Sequence, residues 1–111
     1  MTSYHVEDVH TDLAIIRVVG RLNMIAAPEL RDVVVVASRA GKSRLVVDLA
    51  GVEFMDSSGL GALIGALKTT RQAGGDLRIA GAGEQVSMVL QLSNVDRILT
   101  PYETADVAFR D

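Results

Sequence analysis

The 111-residue chain contains no cysteine and no tryptophan, only two prolines and 4% aromatic residues. Without cysteine it forms neither a disulfide framework nor a thiolate metal site, and that absence is all that points to a reducing compartment. Basic charge is not in excess: 11 Lys and Arg stand against 14 Asp and Glu, for a formal net charge of -3. The cations are scattered singly, so no polyanion-binding face is expected and nucleic acid is not an expected partner. No apolar run approaches the roughly 18 residues of a membrane span, and the opening MTSYHVEDVH lacks the basic start and apolar stretch of a secretory signal. The expectation is a cytoplasmic protein without a membrane partner.

Hydrophobic residues make up 49% of the chain and charged ones 23%. That balance belongs to a folded protein, and the length suits one domain over residues 1–111 with a real core. YHVEDVHTDLAIIRVVGRL alternates loosely, with Val6, Val9, Leu13, Ile15 and Val18 apolar. It predicts a hairpin of strands at 4–9 and 12–19, closed by Gly20. In AAPELRDVVVVASRAGKSR, Pro28 suits a first helical turn, and Leu30, Val33, Val34 and Ala37 share one face before Gly41 stops the helix. The four consecutive valines at 33–36 pull the other way, towards a strand. RLVVDLAGV at 44–52 reads as a strand covered on both faces. A helix over 57–72, a strand at 76–82 and a helix at 84–94 burying Val86, Val89 and Leu90 follow. RILTPY adds a brief extended piece and ETADVAFR a last helical turn or two. The predicted class is α/β: a mixed β-sheet flanked by helices, in the order β-β-α-β-α-β-α-(β)-α.

The stretch FMDSSGLGALIGALK, residues 54–68, poses the functional question. Its helix tolerates Gly59, Gly61 and Gly65, each costing about 1 kcal/mol relative to alanine in a helix interior. On a helical wheel Leu60, Leu63, Ile64 and Leu67 form one apolar stripe, while Gly61, Ala62, Gly65 and Ala66 gather on the other side, with Ser58, Lys68, Thr69 and Gln72 among them. A face so bare of long side chains predicts a surface on which another backbone or protein docks closely. Two readings of the helix entrance stay open. One of Asp56, Ser57 and Ser58 caps the first turn, or one serine is displayed as a phosphate acceptor. A phosphate would add roughly -1.5 to -2 charges at a helix N-terminus, which favours anions, so the helix would survive and the effect would fall on a docked partner. Met24 and Ile25, in a turn, are candidate exposed apolar contacts.

VVDLAGVEFMDSSGLGALIGALK resembles the signature of bacterial STAS-domain anti-sigma factor antagonists. GRLN…APEL at 20–30 and GGDLRIAGA at 74–82 extend the resemblance over essentially the whole chain. It implies a single STAS-like domain that acts as a regulatory ligand and is not an enzyme. The implied partner is an anti-sigma factor that is also a serine protein kinase: the unmodified antagonist captures it and frees a sigma factor. The kinase then phosphorylates the first serine of D-S-S-G, here Ser57, and a dedicated serine phosphatase reverses the step. ATP and magnesium belong to the kinase, so this chain needs no cofactor. The contact residues carried over are Asn23, Met24, Asp56, Ser57, Ser58, Gly61, Gly65 and Lys68, in a protein that is a monomer or weak dimer when free.

One departure stands out. The family commonly reads G-E-L-D after the second strand, whereas this chain reads Gly20, Arg21, Leu22, Asn23. Either the lost carboxylate alters phosphorylation or partner choice, or Asn23 simply fills a turn and caps a helix. Ala26 stands where a threonine is often found and removes another possible cap.

Other signals point away from catalysis. His5 and His10, with acidic neighbours, sit in an edge hairpin that does not promise converging metal ligands. GLGALIG misses the dinucleotide fingerprint, and Ser57 lacks the G-x-S-x-G elbow of a hydrolase. The alternative to a phosphorylated switch is a STAS subunit that docks unmodified in a larger assembly, such as a lipid-transport ABC complex or a signalling scaffold.

Overall fold

The structure, a computed structural model, describes residues 1–110. Strand β1 (Ser3–Asp8) turns back into β2 (Leu13–Leu22), the turn being closed by Val9 N–H and His10 N–H donating to the Leu13 carbonyl. There follow α1 (Ala26–Arg39), β3 (Arg44–Met55), α2 (Ser57–Gln72), β4 (Asp76–Ala80), α3 (Glu84–Leu92) and a short β5 (Pro101–Tyr102). Single 3-10 turns lie at Val95–Arg97 and Ala105–Val107. The five strands form one sheet in the order β1-β2-β3-β4-β5, with β1 antiparallel to β2 and the remaining pairs parallel. Each parallel crossover carries one helix, as parallel pairing requires. The predicted α/β class and element order hold.

Alternation along the central strands builds two cores. Ala14, Ile16 and Val18 of β2, Leu45, Val47 and Leu49 of β3, and Leu77 and Ile79 of β4 meet Leu30, Val34, Leu63, Leu67, Val86 and Leu90 of the three helices. On the opposite face Ile15, Val46 and Ala80 are covered by Ala105, Ala108 and Phe109 from the C-terminal turn. This is why β3 is nearly continuous in apolar residues over 45–49, interrupted only by Asp48: both faces are covered there. The valines at 33–36 are helical because Leu30, Val34 and Ala37 reach the core at helical spacing. Burial outweighs a β preference worth only tenths of a kcal/mol per residue, about 0.7 at most.

The structure departs from the expected boundaries where the site begins. Strands β2 and β3 run three residues beyond 19 and 52, and the added residues pair with each other, Arg21 beside Phe54 and Leu22 beside Met55. Helix α3 stops at Leu92, just ahead of the left-handed Asn94 (φ 60°), and Val89 is half-buried where full burial was expected. Of RILTPY only Pro101–Tyr102 pairs as a strand. Among the described residues no helix is long and apolar enough to cross a membrane.

Candidate functional site

The site forms where β2 and β3 end together. Pairing of Leu22 with Met55 sets the two following turns side by side, and Asp56 N–H donates to the Leu22 carbonyl at 3.2 Å. Ligands of open α/β sheets gather at such carboxyl ends of parallel strands. The close approach has one strict requirement. A Cβ at Gly59 would stand 2.2 Å from the Leu22 carbonyl oxygen, so only glycine lets α2 begin this near to β2. Gly59 therefore serves the fold, not the surface.

Asp56 caps α2. Its Oδ1 accepts from Ser58 N–H at 2.9 Å and Gly59 N–H at 3.1 Å, so of the three candidates it is the acid and not a serine that satisfies the first turn. The Ser57 hydroxyl is thereby left over: it is exposed and makes no hydrogen bond among the described residues. Asp56 and Ser58 are half-buried.

Asn23 plays the same part for α1. Its Oδ1 accepts from Ile25 N–H at 3.2 Å and Ala26 N–H at 3.1 Å, and its carbonyl accepts from Ala27 N–H at 2.9 Å. Asparagine here thus fills a turn and caps a helix, a task its amide oxygen performs as a carboxylate would. The turn pushes Met24 and Ile25 outward, where they are 73% and 76% exposed. Beside it runs a groove of about 410 Å³ whose walls include Arg21, Asn23, Ile25, Glu29 and Glu53.

The expected small-residue face needs correction. Ala62 and Ala66 are buried together with Leu63 and Leu67, because α2 lies against both the sheet and α1 and so buries a wider arc than one leucine stripe. Of that face Lys68 and Gln72 are exposed, Ser58 and Thr69 half-buried, and between them runs a half-buried strip of Gly61 and Gly65. Even that strip is not bare. Arg31 of α1 lies across it, with Nε 3.5 Å from the Cβ position of Gly65 and Nη2 3.8 Å from that of Gly61. Glycine at 61 and 65 gives this side chain its seat.

Sequence reasoning missed one more residue. Past Asp48, β3 has no register partner in β4, and Gln85 of α3 takes over: its Oε1 accepts from Met55 N–H at 2.8 Å and its Nε2 donates to the Met55 carbonyl at 2.9 Å. One side-chain amide thus imitates a neighbouring strand and fixes the residue two before Ser57. Gln85, two residues past Gly83, was visible in the sequence, but nothing in its spacing pointed to Met55.

A free hydroxyl on a capped helix rim, next to exposed apolar side chains and a shallow groove, is what a protein-docking domain presents. The chain belongs to the STAS domain family, in its anti-sigma factor antagonist branch: the STAS domain matches residues 4–108. An anti-sigma-B factor antagonist of Staphylococcus epidermidis is 32% identical over 98 residues, covering 88% of this chain and 91% of that protein. The crystal structure of an anti-sigma factor antagonist from Mycobacterium paratuberculosis superimposes with a TM-score of 0.87 at 27% identity, over 100% of this chain and 96% of the other. The fold is also that of SpoIIAA, solved unphosphorylated and phosphorylated, at TM-scores of 0.81 and 0.74. Those two share 22% and 21% identity with this chain and cover 97% of it, against 95% and 97% of their own chains.

Proposed function

We propose that this chain captures an anti-sigma factor that is also a serine protein kinase, and that phosphorylation of Ser57 by that kinase ends the capture until a serine phosphatase restores it. The docking surface comprises the Asn23 turn with Met24 and Ile25, the Asp56–Ser58 entrance of α2, and Gly61, Gly65 and Lys68 along its first turns. ATP and its metal are brought by the kinase.

The observation that carries this reading is the division of labour at the helix entrance. Asp56 holds the N–H groups of Ser58 and Gly59, so Ser57 is free to be modified without loss of the cap. A phosphate would face outward, into whatever is docked. Opposite a partner carboxylate, two unit charges about 4 Å apart at an effective dielectric near 20 repel by about 4 kcal/mol. At about 1.4 kcal/mol per decade, affinity falls by several hundredfold.

The test mixes purified protein with the cognate kinase and magnesium ATP. The expected outcome is one phosphate per chain, none on Ser57→Ala, and much weaker binding by Ser57→Asp. Phosphate accepted by the Ser57→Ala variant, or a Ser57→Asp variant that binds like the parent, overturns the reading. Native protein that never carries phosphate and co-purifies with a membrane ATPase returns the docking-subunit alternative.

A further inference from the structure

We propose that a phosphate on Ser57 is held by the chain's own Arg31, which swings off the Gly61–Gly65 strip to meet it. Its use as a switch rests on Ser57 being the acceptor, as proposed above; the pairing itself does not.

The argument starts from what a phosphate finds at Ser57. The N–H groups of Ser58 and Gly59, which a helix N-terminus would offer an anion, already donate to Asp56. The Asp56 carboxylate is moreover a like charge in the same turn. A dianion placed there needs a cation, and three are candidates. Lys68 stands 11 residues further along α2, about 16 Å up the axis, and is out of reach. Arg21 comes from the end of β2, but its guanidinium carbon sits 4.4 Å from the centroid of the Phe54 ring. Arg31 lies along α2 itself. Its Nε is beside Gly65 and its Nη2 is between Gly65 and Gly61, at 3.9 Å and 3.8 Å from their Cβ positions. The fork therefore points down the helix towards Ser57, which is one turn, about 6 Å, beyond Gly61.

Arg31 is also available. It makes no ion pair or hydrogen bond among the described residues, unlike Arg17, Arg44, Arg71 and Arg78. Arginine matches a phosphate with two parallel donors, and a charge-assisted pair of this kind is roughly twice as strong as a neutral hydrogen bond. Asp56 lies in the same turn as Ser57, and Glu29 and Glu53 line the groove beside the Asn23 turn; Gln85, which comes from α3 to Met55, is neutral. Phosphorylation on this scheme does two things to the docking face: it adds negative charge at its lip and withdraws the positive charge from its middle.

Phosphoserine is installed at position 57 during translation, so that no kinase takes part. The parent and the Arg31→Gln, Arg31→Lys and Arg21→Gln variants are then titrated by phosphorus NMR, with Gly61 and Gly65 amides followed in proton–nitrogen spectra. The phosphate of the parent is expected to ionise about one pH unit lower than that of Arg31→Gln, as for an anion gaining an adjacent cation. Arg31→Lys should lie between the two, and Arg21→Gln should match the parent. The Gly61 and Gly65 amides should move on phosphorylation only where Arg31 is present. Equal ionisation in the parent and Arg31→Gln overturns the proposal, as does a shift abolished by Arg21→Gln instead. Folding of each variant is checked by its own spectrum. A chain that no kinase modifies would fail the function proposed above and leave this pairing intact, so the two can fall separately.

Discussion

At the scale of single residues, the D-S-S-G element divides its labour among neighbours, and the structure assigns each task. Asp56 holds the cap, so Asp56→Ala is expected to lower stability by about 1 kcal/mol in urea unfolding, while Ser57→Ala leaves it unchanged. Gly59 secures the approach of α2 to β2. Gly59→Ala puts a methyl against the Leu22 carbonyl, where overpacking costs about 1–3 kcal/mol. Its spectrum should report displaced Asn23 and Ser57 amides. Asn23 supplies the α1 cap through an oxygen that aspartate also has, so Asn23→Asp should retain stability within about 0.5 kcal/mol. Asp56, Ser57 and Ser58 were legible from sequence as candidates for capping or display, because both depend on residue type and local order, and the structure gave the cap to Asp56. Gly59 was legible only as an anomaly, since the atom that excludes a side chain belongs to residue 22, 37 positions earlier.

At the scale of elements, the site exists because two strands end level and a third element steadies one of them. Helical spacing foretold α1, α2 and α3, and the nearly continuous apolar run foretold a β3 covered on both faces, which holds over 45–49. The three-residue extensions of β2 and β3 carry Arg21 and Glu53, whose charge hides a strand pattern, so they became visible only as mutual pairing. Gln85 replaces the strand that β4 does not supply at Met55. Gln85→Ala leaves a donor and an acceptor unpaired in a half-buried place, at a cost of about 1–3 kcal/mol. Hydrogen exchange at the Met55 amide should accelerate well beyond that at Val47, which lies within β3 and pairs with Ile16 and Ile79. The same amphipathic reasoning misplaced Ala62 and Ala66, because a helix pressed by both a sheet and a second helix buries more of its circumference than a single apolar stripe marks out.

At the scale of the whole molecule, two long-range links should give stability its pH dependence. The Tyr4 hydroxyl on β1 lies 3.0 Å from the Ala26 carbonyl oxygen and 3.1 Å from Glu29 Oε1. Burial first, then these contacts with Glu29, push its ionisation well above the ordinary value of 10.0. The folded state thus keeps a proton that the unfolded chain loses. The contribution is complete below about pH 10 and disappears as pH climbs from there towards the folded value. Tyr4→Phe should flatten the alkaline limb of a stability–pH curve. At the other end of the sheet the Arg44 side chain, by its hydrogen bond, holds Asp12 below the ordinary 3.8. The sign reverses: that support is present above about pH 4 and is lost as pH falls through the folded value. The pair is exposed, so its share is small, and Asp12→Asn should remove only a slight acid-side slope.

By itself the amino-acid sequence determined the α/β order, the main apolar stripes and the three candidates, Asp56, Ser57 and Ser58, at the entrance of α2. Those are properties of residue type and of spacing within one element, where periodicity and local hydrogen bonding act over a few positions. Only the tertiary structure decided which part of α2 stays uncovered, why position 59 must lack a side chain, that Gln85 completes β3, and that Arg31 lies over two glycines. Each of those rests on atoms brought together from distant parts of the chain, and their contact is a consequence of packing that no local pattern encodes.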